Sequence, residues 1–91
     1  MKVAMHDNEV DNSLVTKPRF VGSDSEAEWY VRTMAVDDRA ANVIKWILTD
    51  RRGVVCVWER LVGSTALPEI TQRSARYTGK WGQGPSEVAI P

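Results

Sequence analysis

One histidine and one cysteine in ninety-one residues leave little material for the common catalytic and metal-binding constellations. A hydrolytic triad needs a histidine held by a carboxylate against a nucleophile, and the sole candidate, His6, falls in a polar opening segment. A closed zinc site needs about four Cys, His or carboxylate ligands, which His6 and Cys56 cannot supply. Glycine is scarce in the patterns that cradle phosphate: Gly79-Lys80 lacks the spaced glycine and following hydroxyl, and Gly82-Gln83-Gly84 runs into Pro85 rather than a helix. These absences point to a chain that is not an enzyme and carries no metal and no cofactor. No apolar run approaches the roughly 18 residues that span a membrane, and no basic start leads into an apolar block, so no membrane contact is expected and the expected location is cytoplasmic. Cys56 has no partner for a disulfide and lies in the most apolar stretch, where a thiol behaves as a small hydrophobe.

The balanced charge, 12 basic against 12 acidic side chains, hides an asymmetry. Residues 1–50 hold nine acidic and six basic groups, a balance of minus three, and residues 51–91 hold three and six, a balance of plus three. Arginine outnumbers lysine, and tryptophan occurs 4 times, so residue types enriched at binding hot spots are plentiful for a chain that makes one domain.

The strongest pattern runs from Asp37 to Val62. Ala40, Val43, Ile44, Ile47 and Leu48 follow helical spacing, with Asp37 or Asp38 placed to cap the start and Gly53 to stop the end, so the spacing predicts an amphipathic helix over Asp38–Arg52. Val54 to Trp58 is β-branched or aromatic at nearly every position and reads as a buried strand. Residues 28–36 are ambiguous. Ala27, Tyr30, Val31, Met34 and Ala35 form a helical stripe, with Ser25 and Glu28 at capping-box spacing, whereas the Trp-Tyr-Val-Arg-Thr composition and the following Asp pair favour a strand, which is the reading taken. Lys2–His6 alternates as a short edge strand would, Pro18 restricts residues 13–21 to an edge or a broken strand, and Glu87–Ile90 can form a short strand. The resulting expectation is an α+β fold: a three- to four-stranded, mainly antiparallel sheet with one principal amphipathic helix on one face. Residues 1–12 would be a flexible segment, 13–77 the core domain and 78–91 a Gly/Pro-containing arm.

Two surfaces emerge as candidate sites. On the predicted helix, Trp46 lies about 130 degrees from the apolar stripe, with Asn42 and Asp50 one turn to either side and Arg39 near the same line. An exposed indole ringed by polar groups has the makeup of a protein-binding hot spot, and Trp29 is a second candidate. A single helix also leaves the opposite sheet face in need of cover, from the terminal segments or from another molecule. The expected partner is another protein or a second copy of the chain, and the expected role is that of a small regulator, adaptor or inhibitor. Small accessory proteins of bacteria, their phages and plasmids share this size and character. The alternative is an RNA or single-stranded DNA contact through residues 72–84, where Arg73, Arg76 and Lys80 alternate with Tyr77 and Trp81: cations neutralise phosphates and aromatic faces stack on bases. The zero net charge counts against it.

Overall fold

The computed structural model describes residues 1–7 and 17–90. Its one α-helix among these residues, α1 (Asp24–Ala35), begins where short-range chemistry is most explicit. The Ser23 hydroxyl accepts from the Glu26 N–H at 3.1 Å, and the Glu26 carboxylate reaches back to the Gly22 N–H at 2.6 Å. This reciprocal capping satisfies two donors that a helix start leaves open. Asp24 and Glu26 in the first turn and Arg32 in the last complement the helix dipole. The strand expected over residues 28–36 is thus the second half of a helix. The stripe is the reason: Ala27, Tyr30, Val31 and Ala35 are all buried, with Met34 packed at their margin, and a strand would have divided them between two faces.

The helix expected over Asp38–Arg52 is replaced by a short 3-10 turn, Asp38–Ala40, followed by β3 (Val43–Asp50) and β4 (Gly53–Glu59). Asp37 does cap, accepting from the Arg39 N–H at 2.8 Å, but it caps this single turn. β-Branched residues crowd both sides of Arg51-Arg52, a composition that suits a pleated, half-buried surface better than a helix. Asp50 accepts from the Arg52 N–H at 2.7 Å, and Gly53 sits at φ 120°, so the features read as a helix stop close a two-residue hairpin.

The sheet has six strands in the order β2-β1-β3-β4-β5-β6, completed by β1 (Lys2–Asp7), β2 (Arg19–Phe20), β5 (Glu69–Ser74) and β6 (Gln83–Ile90). All neighbours are antiparallel except β5 and β6. The α+β class and the single helix on one face agree with expectation; the sheet is larger than the three or four strands expected, and it is mixed. Both ends of the chain enter it. Residues 2–7, expected to be flexible, lie inside the sheet between β2 and β3, and most of the expected arm forms the edge strand β6. Residues 8–12 lie outside the described residues.

Register and alternation assign the faces. Met5, Trp46, Trp58 and Ile70 pair in one row and Val3, Leu48 and Cys56 in the next, and all are buried against α1. Burial pushes the Cys56 thiol's pKa up, which keeps it protonated and unreactive. The intervening rows, Ala4-Ile47-Val57-Gln72-Val88 and His6-Lys45-Glu59-Glu69, occupy the opposite face, where no helix lies among the described residues.

Candidate functional site

The residues singled out as a Trp46-centred helix face do not form one. Trp46 is 0 % exposed, a strand residue paired with Met5 and Trp58 in the core, because period-2 alternation from Trp46 to Leu48 turns it inward. Asn42 is exposed just before β3. Arg39 is exposed and bound to Asp37, with Nη2 at 2.8 Å from Oδ2, and these hydrogen bonds hold the Asp37 carboxyl at about 2, below its usual 3.8. Asp50 lies at the far end of β3, where Arg76 donates Nε to it at 2.9 Å and Nη2 at 3.1 Å and holds its carboxyl below the ordinary range. Trp29 is the exception: 58 % exposed on the outer side of α1.

The basic and aromatic segment is also committed internally. Tyr77 and Trp81 are 4 % and 8 % exposed, and both pack edge-on against Trp58, with ring centroids at 5.9 and 5.8 Å. Arg73 lies over the Tyr77 ring and Arg32 over Trp81. The anchor is the buried carboxylate of Glu28 on α1, which accepts from the Tyr77 hydroxyl, the Trp81 N–H at 2.6 Å and the Lys80 N–H at 3.3 Å. One turn earlier, Asp24 accepts from both the N–H and the hydroxyl of Thr78. Burial and the bond to Glu28 push the Tyr77 phenol's pKa up. Gly79 is required by this closeness, since a Cβ there would collide with the Tyr77 ring and the Glu28 carboxylate. Residues 77–81 therefore complete the core beside α1, and of the five residues considered for nucleic acid only Lys80 is exposed. Neither aromatic ring of the segment is left free for stacking.

A residue not singled out as a site in the sequence organises a further surface. Arg60, just beyond β4, gives Nε to the Val43 carbonyl at 2.9 Å, Nη1 to those of Ala35 at 2.5 Å and Ala66 at 3.2 Å, and Nη2 to that of Ala40 at 2.9 Å. Its guanidinium also lies 4.9 Å from the Trp46 ring centroid. One side chain thus ties together the end of α1, the 3-10 turn, the start of β3 and the loop of residues 60–68. Burial lowers its pKa without removing its charge. Above this fastening the loop exposes Leu61, Val62 and Leu67, and Val36 is exposed beside the carbonyl of Ala35. Turn geometry holds the loop: Gly63 lies at φ 77°, the Ser64 N–H donates to the Leu61 carbonyl at 3.1 Å, and the Ala66 N–H donates to the Ser64 hydroxyl at 3.1 Å. The signal was present in Leu61-Val62-Gly63-Ser64-Thr65-Ala66-Leu67-Pro68, a turn-forming stretch with apolar residues at both ends. The bonds of Arg60 had no such signal, because backbone acceptors look alike in every sequence.

Arg60→Ala is expected to cost about 2 kcal/mol, since it removes several charge-assisted hydrogen bonds that remain partly open to water. Urea denaturation measures the loss, and amide exchange should quicken most at residues 61–67. Unchanged exchange there would mean that the loop holds its shape without this anchor.

Among the described residues no group of three or more His, Cys, Asp and Glu side chains is placed to hold a metal ion, and no helix is long and apolar enough to cross a membrane. No protein-family model, curated protein or solved structure matches the chain.

Proposed function

We propose that the chain is a non-catalytic protein-binding module, a small regulator, adaptor or inhibitor. Its contact surface is built from the outer side of α1, centred on Trp29, and from the 60–68 loop. The observation that carries this reading is the contrast among the tryptophans: three are buried, and Trp29 stands open to water on the helix. A large apolar ring left exposed while its counterparts are sequestered is the kind of anchor that dominates interface energetics. Leu61, at 84 % exposure, with Val62, Leu67 and Val36, adds apolar area at the end of the molecule where Arg60 fastens α1 to the loop. That fastening supports the reading in a second way, because a loop already fixed loses little entropy on binding. The sheet face opposite α1, where Val88 is exposed and Ala4 and Ile47 are partly so, is available to a second copy of the chain.

The double variant Trp29→Ser, Leu61→Ser tests the proposal. Neither side chain is part of the core, so the melting temperature is expected to stay within about 3 °C of the parent. Affinity capture from extracts of the source cells, run side by side with parent and variant and quantified by mass spectrometry, should show specific partners lost from the variant. Light scattering over a concentration series tests self-association in the same pair. If parent and variant capture the same proteins and have the same mass in solution, this surface binds nothing.

A further inference from the structure

A groove of about 510 Å³ opens between the 60–68 loop and the adjoining ends of β4 and β5, walled by Leu61, Ala66 and Leu67 and floored by Glu59, Glu69 and Thr71. Its volume falls within the roughly 300–1,000 Å³ typical of ligand sites. Its lining carries two carboxylates, Glu59 and Glu69, and the guanidinium of Arg60. Glu59 and Glu69 are direct cross-strand partners, and like charges so placed repel. Thr71 donates its hydroxyl to Glu59, and Lys45 stands 3.7 Å away from the other carboxylate oxygen, so Glu59 is partly compensated. Glu69 is exposed and enters no ion pair among the described residues. The other charged group at the groove, Arg60, keeps its charge but directs Nε, Nη1 and Nη2 to backbone carbonyls, so the unpaired carboxylate of Glu69 is the charged group left to meet a partner.

We infer that this groove receives an arginine or lysine side chain of a partner polypeptide, carried between aliphatic residues, with the cationic head at Glu69 and the neighbouring apolar side chains against Leu61 and Leu67. This deepens the protein-binding reading and rests on it. Charge complementarity selects the occupant: a cation relieves the repulsion between the two glutamates, whereas an anion adds to it and a neutral side chain leaves it in place. The apolar walls require that the charge arrive on a methylene stem, as it does in these two side chains.

The test uses the full chain, isotope-labelled for amide NMR, and three blocked tetrapeptides. The first places one arginine between leucines, the second replaces it by citrulline, which keeps the shape and loses the charge, and the third replaces it by glutamate. The arginine peptide is expected to cause saturable shifts centred on residues 60–71 and to bind about fivefold more tightly than the citrulline peptide at low salt, the size of effect that one partly screened charge gives. The glutamate peptide should be the weakest. In Glu69→Gln, an exposed substitution that leaves the fold intact, the preference for arginine over citrulline should fall to about twofold or less, and about 0.5 M salt should do the same to the parent. Equal affinity for the arginine and citrulline peptides would overturn the inference, as would an unchanged preference in Glu69→Gln. Shifts with none of the peptides, or shifts elsewhere, would overturn it too. Each of these results concerns the groove alone. Leu61 also walls the groove, so the broader protein-binding reading is decided separately by Trp29→Ser alone, which leaves every groove residue in place.

Discussion

Trp58→Ala is expected to lower the free energy of unfolding by about 4 kcal/mol, the upper part of the range for removing a large aromatic side chain from a core that cannot collapse around the gap. The indole is fully buried, sits at the centre of the Met5-Trp46-Trp58-Ile70 row, and is met edge-on by Tyr77 and Trp81. Edge-on aromatic pairs contribute about 0.5–1.5 kcal/mol beyond their buried area, which adds to the larger area lost here than at an aliphatic neighbour such as Leu48. Urea denaturation at equilibrium checks this, with Trp58→Phe as a control expected to lose less than half as much. Domains of this size have about 5–10 kcal/mol in hand, so the alanine variant keeps about 1–6 kcal/mol and populates the unfolded state measurably without denaturant only at the low end of that range. A loss near 1 kcal/mol would mean that the layer of residues 77–81 closes over the space and that the packing here is far softer than its geometry implies.

The second large effect is expected at Glu28. Glu28→Ala leaves the Tyr77 hydroxyl and the Trp81 N–H without their acceptor in a site that is 5 % exposed, and the expected loss is about 3 kcal/mol. Glu28→Gln keeps one acceptor oxygen but turns a donating amide toward groups that already donate, and an intermediate loss of about 1–2 kcal/mol is expected. The location of the damage separates this prediction from the first. Amide exchange should quicken over residues 77–90, where the clamp holds the chain against α1 and leads into β6, while β3 and β4 keep their protection up to the new global limit. Uniform acceleration across all six strands would show that the clamp and the sheet unfold as one unit.

How much of this was legible depends on the range of the interaction. Val54 to Trp58 was readable as a strand because nearly every residue in it prefers a pleated surface. The two segments exchanged between helix and strand were not random errors. Asn42 to Leu48 satisfies helical spacing through Val43, Ile44, Ile47 and Leu48, yet the same residues are β-branched or large and lie before a two-residue turn that a second β-branched run mirrors. The symmetry about Arg51-Arg52 was the deciding signal, and Gly53 served either reading because a left-handed residue ends a helix and closes a hairpin alike. Conversely, the stripe Ala27, Tyr30, Val31, Met34, Ala35 was correct as a helix, and its cap lay two residues earlier than the spacing considered, at Ser23 and Glu26. Once α1 is accepted, the exposure of Trp29 follows from the helical period, because it falls off that stripe. The clamp of Glu28 on Tyr77 and Trp81 joins residues some fifty positions apart, and no local pattern marks a carboxylate that will be buried.

The place of β1 in the sheet has a consequence for synthesis. Its principal partner is β3, some forty residues later, whereas β3, β4 and β5 follow one another and pair in sequence as a meander. A nascent chain leaving the ribosome therefore carries β1, Val3 and Met5 included, with only the two-residue β2 as a mate until β3 has emerged, and most of the apolar side of that strand is open to chaperones and to neighbouring nascent chains throughout the interval. The meander can assemble soon after its residues clear the exit, and insertion of β1 between β2 and β3 must close a much longer loop. Speed of translation between the codons for Asp7 and Val43 thus sets how long β1 waits for its main partner.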